Sequence, residues 1–232
     1  DSALSTTNTF ALTVSAVNDL PAFTVSTNLV LVAEDAGIVT NTSFLAGIST
    51  GPGNETNQTY TFTLTAGTNF SFATAPTIAT NGTLTFNVAT NAVGTNLITV
   101  VMKDSGGVTG GGKDSVTNTF SIGVTPANDA PTFLGIAAKT ILEDSTTNTA
   151  VINAIDTDTA SSNLVVTVTS SDTNLVTVAL TSTNLISGTN AALTLAFTTV
   201  TNANGSATIT LIANDGALST TNSFALTVTA VN

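Results

Sequence analysis

The first and last eighteen residues of the chain have nearly the same sequence. Residues 1–18 read DSALSTTNTFALTVSAVN, and residues 215–232 read DGALSTTNSFALTVTAVN. In each copy Phe, Leu and Val alternate with small or polar side chains, which is the period of a half-buried β-strand. The copies differ at three positions, all occupied by small side chains: Ser2/Gly216, Thr9/Ser223 and Ser15/Thr229. Such a duplication predicts a periodic array of β-domains.

The opening copy is expected to take the same pairing role as the closing copy. We predict that residues 1–18 are the closing strand of a preceding repeat and complete a sandwich in a neighbouring copy, because a strand that exposes Phe10, Leu12 and Val14 needs a sheet to join. Two arrangements stay open at this point: a covalent array, or strand donation between separate subunits. Packing of 1–18 as a regular sheet member of the first domain would refute the array.

A recurring junction divides the rest of the chain. Asn18-Asp19-Leu20-Pro21 returns as Asn128-Asp129-Ala130-Pro131, and each is followed by an acidic pair, Glu34-Asp35 and Glu143-Asp144. Proline interrupts ladder pairing and stiffens the backbone, as expected between domains. The predicted domains are therefore 19–128 and 129–232, preceded by the strand 1–18.

Short alternating segments fill both domains. They occur at 38–48, 59–65, 83–88, 96–102 and 117–124, and again at 148–155, 163–169, 175–180, 192–198, 206–213 and 218–228. Turn sequences rich in Gly and Asn separate them. About seven short strands per hundred residues predict an all-β fold of two tandem β-sandwiches. Their inward positions give a predicted core: Phe44, Tyr60, Phe62, Phe86, Ile98, Val100, Phe120, Val166, Val168, Leu193, Leu195, Ile209, Leu211, Phe224 and Leu226.

The composition excludes several classes of function. The chain has no Cys, His or Trp, and its net charge of −11 comes from 14 acidic residues against three lysines. Without His or Cys, the common nucleophile and base pairs are missing, so we expect no enzyme activity. The charge opposes binding to nucleic acid, and no apolar run is long enough for membrane insertion. Gly107–Asp114 reads GVTGGGKD, similar to a phosphate loop, but Asp replaces the Ser or Thr that holds magnesium, and the segment predicts a hairpin.

Three motifs make the chain resemble the tandem bacterial immunoglobulin-like and cadherin-like repeats of large surface proteins. They are the NDxP junctions, the acidic pairs, and Ala213-Asn214-Asp215-Gly216 before the last strand, where cadherin-like repeats have AxDxG. In addition, Asp156-Thr157-Asp158 matches their DxD motif. The resemblance implies two Ig-like/cadherin-like sandwiches. The first domain departs from the pattern, because residues 49–53 (STGPG) stand where DxD would fall, and neither domain has the internal acidic DRE-type motif.

The same resemblance implies a calcium site at the junction of the domains. Its implied ligands are Glu34, Asn128, Asp129, Asp156, Asp158 and Asp215. Carboxylates gathered without a lysine repel one another, and Ca²⁺ with oxygen ligands relieves that repulsion. The alternative is that these acidic side chains cap turns and stay solvated, which Asp and Asn do routinely.

The motifs and the composition together predict a non-enzymatic structural repeat unit. We expect it in an extracellular fibre or a long cell-surface protein, with neighbouring copies of itself as partners, assembled head-to-tail. The alternative is an adhesin or a carbohydrate-binding module. That class usually presents exposed aromatic side chains, and the chain has one Tyr and no Trp.

Overall fold

The computed structural model describes residues 5–145, 148–160, 163–187 and 190–231, with the backbone alone for 182–187. The chain forms two compact units, Asp1–Pro126 and Ala127–Asn232. Both consist of β-strands, with short 3-10 turns that include Gly53–Glu55 and Thr109–Gly111. The prediction of an all-β fold is confirmed. Among the described residues, no helix is long and apolar enough to cross a membrane.

The described residues of unit 1 form nine strands in three sheets. The strands are β1 (Ala22–Val25), β2 (Leu29–Ala33), β3 (Ile38–Asn41), β4 (Leu45–Ser49), β5 (Tyr60–Ala66), β6 (Phe72–Ile78), β7 (Leu84–Val88), β8 (Gly94–Asp104) and β9 (Ser115–Thr125). The largest sheet has the order β2-β9-β8-β5, a second has the order β3-β7-β6, and β1 pairs with β4. Strand β2 runs parallel to β9, whereas the other pairs are antiparallel.

Unit 2 contains eight described strands in two four-stranded sheets. The strands are β10 (Thr132–Leu134), β11 (Lys139–Leu142), β12 (Asn148–Ile155), β13 (Val165–Ser170), β14 (Val176–Ser187), β15 (Asn190–Thr199), β16 (Gly205–Asn214) and β17 (Ser219–Thr229). The sheet orders are β10-β12-β15-β14 and β11-β17-β16-β13. Strand β17 is central in its sheet, because it pairs in parallel with β11 and antiparallel with β16.

Each unit has its own apolar core, built from the inward side chains of the alternating segments. Eleven of the fifteen predicted core residues are buried. The other four, Tyr60, Phe62, Val166 and Val168, are partly buried and pack against the cores. The predicted register is therefore confirmed, since a slip of one residue would have turned these side chains to solvent.

In unit 1, some strands differ from those predicted from the sequence pattern. The predicted strand 38–48 is two strands, β3 and β4, separated by a turn in which Ser43 has a φ of 59°. Strand β6 was not predicted, because Pro76 interrupts its pattern. Proline is tolerated there because β6 lies at a sheet edge and its register with β7 shifts between Thr74 and Thr77.

The two copies of the duplicated sequence have different environments. In β17 the side chains of Phe224, Leu226 and Val228 are buried in the core of unit 2. In the opening copy no residue from 5 to 18 belongs to a strand, and Phe10 and Leu12 are 89% and 79% exposed. Residues 1–4 lie outside the described part of the chain. Residues 5–18 thus do not form a sheet member of unit 1.

Candidate functional site

Five of the predicted calcium ligands lie at one end of unit 2, which we call its entry end (Asn128, Asp129, Asp156, Asp158 and Asp215). The backbone N–H of Asp129 donates to Oδ2 of Asp158 over 2.6 Å. The side-chain amide of Asn128 donates to Oδ2 of Asp215 over 2.8 Å. Residues that are far apart in sequence, on the incoming segment and on the loops after β12 and β16, are thereby brought together.

Asp156 is the most buried of these side chains, with 2% of its surface exposed. Its Oδ1 accepts hydrogen bonds from the backbone N–H groups of Asp158, at 2.9 Å, and Thr159, at 2.6 Å. Its Oδ2 is buried and has no hydrogen-bond partner. An unpaired carboxylate oxygen in a buried position is costly, so a cation or a water molecule at this atom would stabilise the loop.

Asp215 stands in the turn between β16 and β17. Its Oδ1 accepts hydrogen bonds from the backbone N–H groups of Ala217, at 2.6 Å, and Leu218, at 2.7 Å. The N–H of Leu218, then the side chain of Asn128 and the N–H of Ala217, hold the pKa of Asp215 below its usual value. The carboxylate is therefore ionised at neutral pH, in the state that both turn capping and cation binding require.

Glu34, the sixth predicted ligand, belongs to unit 1. It follows β2, its side chain is buried with 5% exposure, and its backbone N–H donates to the carbonyl of Thr125 at 3.0 Å. Glu143 has the corresponding place after β11 in unit 2. There Oε1 of Glu143 accepts the N–H of Val231 at 2.9 Å, so this carboxylate caps the chain beyond the last strand.

The carboxylates of the entry end of unit 2 accept hydrogen bonds from N–H groups or, in the case of Asp129, from the hydroxyl of Thr157 at 3.0 Å, and do not bond to one another. Among the described residues, no group of three or more acidic side chains is arranged to hold a metal ion. The alternative prediction, that these acidic side chains cap turns, agrees with the bonds to Asp156 and Asp215.

The corresponding end of unit 1 contains functional candidates that the sequence did not indicate. We call it the entry end of unit 1 (Asn18, Asp19, Glu55, Gln58 and Asp104). Glu55 ends the 3-10 turn Gly53–Glu55 and is 5% exposed, and Asp104 is 4% exposed. Neither Glu55 nor Gln58 belongs to a repeated motif. The one available signal is that Glu55 is the single acidic residue between Asp35 and Asp104.

The segment that is similar to a phosphate loop is a hairpin connection, as predicted. Residues 107–114 lie between the antiparallel strands β8 and β9 and include the 3-10 turn Thr109–Gly111. The backbone N–H of Lys113 donates to the carbonyl of Asn18 at 3.0 Å. This loop therefore holds the incoming segment of unit 1.

The strand order and the cores define the chain as two successive β-sandwich units, each with its sheets packed around its own apolar core. No protein-family model matches the sequence, and no curated protein matches it. Among solved structures, mouse cadherin-23 EC22–24 is 17% identical, with a TM-score of 0.43 over 92% of this chain and 65% of that one. Domains 4 and 5 of the S-layer protein SbsC are 18% identical, with a TM-score of 0.33 over 73% of this chain and 70% of that one.

An endo-fucoidan hydrolase of glycoside hydrolase family 107 is 16% identical, with a TM-score of 0.34 over 92% of this chain. The chain spans 29% of the length of that hydrolase. Identities and TM-scores this low carry no information on function.

Proposed function

We propose that this chain is a non-enzymatic structural repeat unit of an extracellular fibre or a long cell-surface protein. Neighbouring copies are its partners, and they join head-to-tail through their β-sandwiches. The observation that carries the proposal is the duplicated segment. One copy is the central strand β17 of a sheet, whereas the other exposes the same apolar side chains to solvent.

The differences between the copies support an equivalent role for both. The residue pairs Thr9/Ser223 and Ser15/Thr229 correspond to exposed and half-buried positions of β17, whereas the three buried positions carry identical side chains in both copies. The opening copy therefore carries the same three side chains that face the core from β17. A unit 2 sandwich closed by residues 5–15 would keep its core intact.

The composition supports a durable, non-catalytic material. Three lysines and no arginine leave few sites for trypsin-like proteases, and the absence of His and Cys removes the usual acid–base and nucleophilic groups. An adhesin or carbohydrate-binding module is the rival class. Exposed aromatic side chains would favour it, and the chain has a single Tyr and no Trp.

Calcium at the entry end of unit 2 is part of the proposal. The unpartnered Oδ2 of Asp156 and the neighbouring carboxylates of Asp129, Asp158 and Asp215 offer the hard oxygen ligands that Ca²⁺ prefers. Isothermal titration with calcium should release heat, and Asp156→Asn should remove that heat. Titration without heat would leave these acidic side chains as turn caps.

A joined chain tests the repeat directly. Residues 1–214 are fused to residues 1–232, so that the second opening copy falls where β17 of the first copy would be. We expect both copies of unit 2 to fold with similar stability, as measured by calorimetry. The matched control carries Phe10→Asp in the joining copy, and we expect it to lose one cooperative unit, because the charge would enter the core.

Two results would overturn the proposal. In the first, the first of the two copies of unit 2 in the joined chain is unfolded, or that copy folds equally well when the joining segment carries Phe10→Asp. In the second, the two-unit chain binds specific sugars on a glycan array, and electron micrographs of the native assembly show no filaments. The second result would favour the rival binding module.

A further inference from the structure

The acidic residues of the chain lie away from the outward faces of its sheets. The chain has 14 acidic residues, of which Asp1 lies outside the described part. Of the other 13, twelve lie in the loops and turns between strands, and Asp104 is the buried last residue of β8. The described outward faces therefore carry no negative charge, although the net charge of the chain is −11. Protein surfaces normally intersperse charges, because charge keeps copies apart in solution.

One of these uncharged faces also exposes three leucines, which we call the leucine patch (Leu29, Leu31 and Leu97). It lies on the outward face of the sheet β2-β9-β8-β5, and its side chains are 45–63% exposed. Leu29 and Leu97 are paired with Ser121 from opposite sides, and Leu31 is paired with Gly123. A Cβ atom on Gly123 would lie 2.7 Å from Cδ2 of Leu31 and 3.4 Å from Cδ1 of Leu29. The leucines of β2 therefore lie across the glycine, toward the middle of the sheet.

The equivalent face of unit 2 does not have this patch. Residues 118–125 of β9 (NTFSIGVT) align with residues 222–229 of β17 (NSFALTVT), and both strands pair with their neighbours in the same register. Threonine occupies the three equivalent positions, with Thr140 for Leu31, Thr208 for Leu97 and Thr227 for Gly123. The sandwich thus accepts polar side chains at these positions. Exposed apolar side chains that the fold does not require indicate a contact surface.

We propose that the leucine patch is the centre of a lateral interface, in which this face of unit 1 packs against the same face of a second copy of the chain. Two copies that each carry a charge of −11 repel one another, so they approach most easily through a face without carboxylates. A two-fold contact places the same patch on both sides of the interface. A basic partner would instead be held by acidic side chains, which this face does not present.

The size of the face predicts how strong the contact is. Strands β8 and β9 pair over ten residues, β5 and β8 over seven, and β2 and β9 over five. Four strands of this length cover about 19 Å by about 25 Å, or about 1,000 Å² for the two copies together. That area is at the lower limit for a specific interface, so we expect separate chains to associate weakly. Repeated along an array, such contacts would reinforce one another.

Sedimentation equilibrium of the full chain tests the interface, over about 10 µM to about 1 mM. We expect a monomer–dimer equilibrium that added salt strengthens, because salt screens the repulsion between the copies. Leu31→Asp and Leu97→Asp should each lower the association constant at least about tenfold, since each places a carboxylate in the uncharged contact. The matched controls are Thr140→Asp and Thr208→Asp, which make the same change at the equivalent positions of unit 2 and should leave the constant unchanged.

Crosslinking locates the contact without disturbing the leucines. The chain has no cysteine, so Ser121→Cys introduces a single thiol between Leu29 and Leu97. Under mild oxidation it should form a disulfide between two chains at least about ten times faster than Ala225→Cys, the equivalent change in unit 2, because the contact raises the local thiol concentration. Random collision predicts the opposite order, since Ala225 is exposed whereas Ser121 is half-buried.

Three results would overturn the proposal. The first is a chain that stays monomeric throughout the concentration range, and the second is association that persists in both leucine variants. The third is association that Phe10→Asp abolishes, because the opening segment would then occupy the patch in place of a second sheet face. None of these results bears on head-to-tail joining through the duplicated strand, which the joined chain tests separately.

Discussion

The same substitution at the equivalent leucine of each copy of the duplicated sequence should change the stability of the chain by very different amounts. Leu226 in β17 is fully buried in the core of unit 2, whereas Leu12 is 79% exposed. Each stands in an identical local sequence, FALTV. The pair Leu226→Ala and Leu12→Ala therefore separates tertiary packing from local propensity.

The expected magnitude follows from burial. Leu226 lies in the same core as Ile209 and Leu211, and all three have no exposed surface. Removing such a side chain costs about 2–5 kcal/mol, because transfer free energy is lost and a cavity remains. For a domain of this size, that lowers the melting temperature by about 10–30 °C. Leu12→Ala should change the stability of the two-unit chain by no more than about 0.5 kcal/mol.

Calorimetry with parallel tyrosine fluorescence is the assay. Tyr60, the single tyrosine, belongs to unit 1, so its fluorescence follows that unit, whereas calorimetry records both. We expect Leu226→Ala to lower a calorimetric transition that has no counterpart in tyrosine fluorescence. Leu12→Ala should leave both transitions in place.

Two results would refute the reasoning. If Leu12→Ala destabilises the isolated chain by more than about 1 kcal/mol, the opening copy is packed within the chain, contrary to its exposure. If Leu226→Ala costs less than about 1 kcal/mol, β17 is not a core strand, and its equivalence with residues 5–15 loses its basis.

Three further substitutions probe single features. Asn96→Ala should destabilise unit 1 by about 2–4 kcal/mol in urea unfolding, because the fully buried side chain bonds to two backbone groups that would lose their partner. Gly82→Ala should cost at least about 1 kcal/mol, since its φ is +81° and a Cβ would lie 2.7 Å from a backbone carbonyl, whereas Gly53→Ala should stay within about 0.5 kcal/mol. By NMR, Asp215 should titrate below the usual value of about 3.9, and Asn128→Ala should raise that pKa. Because the folded-state pKa is the lower one, the contribution of Asp215 to stability is present above about pH 4 and is lost as the pH falls through the folded-state pKa.

The strands and cores could be predicted because their signal is local. Alternation in segments such as 192–198 and 206–213 reports directly which side chains face inward, and Leu193 and Ile209 are fully buried as expected. Strand β6 escaped prediction because Pro76 masks its pattern. The tolerance of that proline depends on β6 lying at a sheet edge, which no local pattern reveals.

The candidate sites could be predicted only where a motif marked them. Asp156 and Asp158 were found because they form a recognisable DxD, and the structure places them with Asn128 and Asp215. Glu55 was missed because its partners are distant: it bonds to Asp19, 36 residues earlier in the chain. Long-range pairing of this kind follows from the fold and leaves no periodic trace in the sequence.

The two entry ends nevertheless use the same hydrogen bonds with different residues. The N–H of Asp129 donates to Asp158 in unit 2, and the N–H of the equivalent junction residue, Asp19, donates to Glu55 in unit 1. The asparagine before each of them donates to an aspartate that follows β16 or ends β8, at 2.8 and 3.0 Å. A glutamate on a 3-10 turn thus takes the place of an aspartate in a DxD loop, because its longer side chain reaches the same N–H from a different backbone position. In both units a carboxylate therefore accepts the N–H of the junction aspartate at the entry end. The DxD motif supplies that carboxylate in unit 2, and a glutamate on a 3-10 turn supplies it in unit 1.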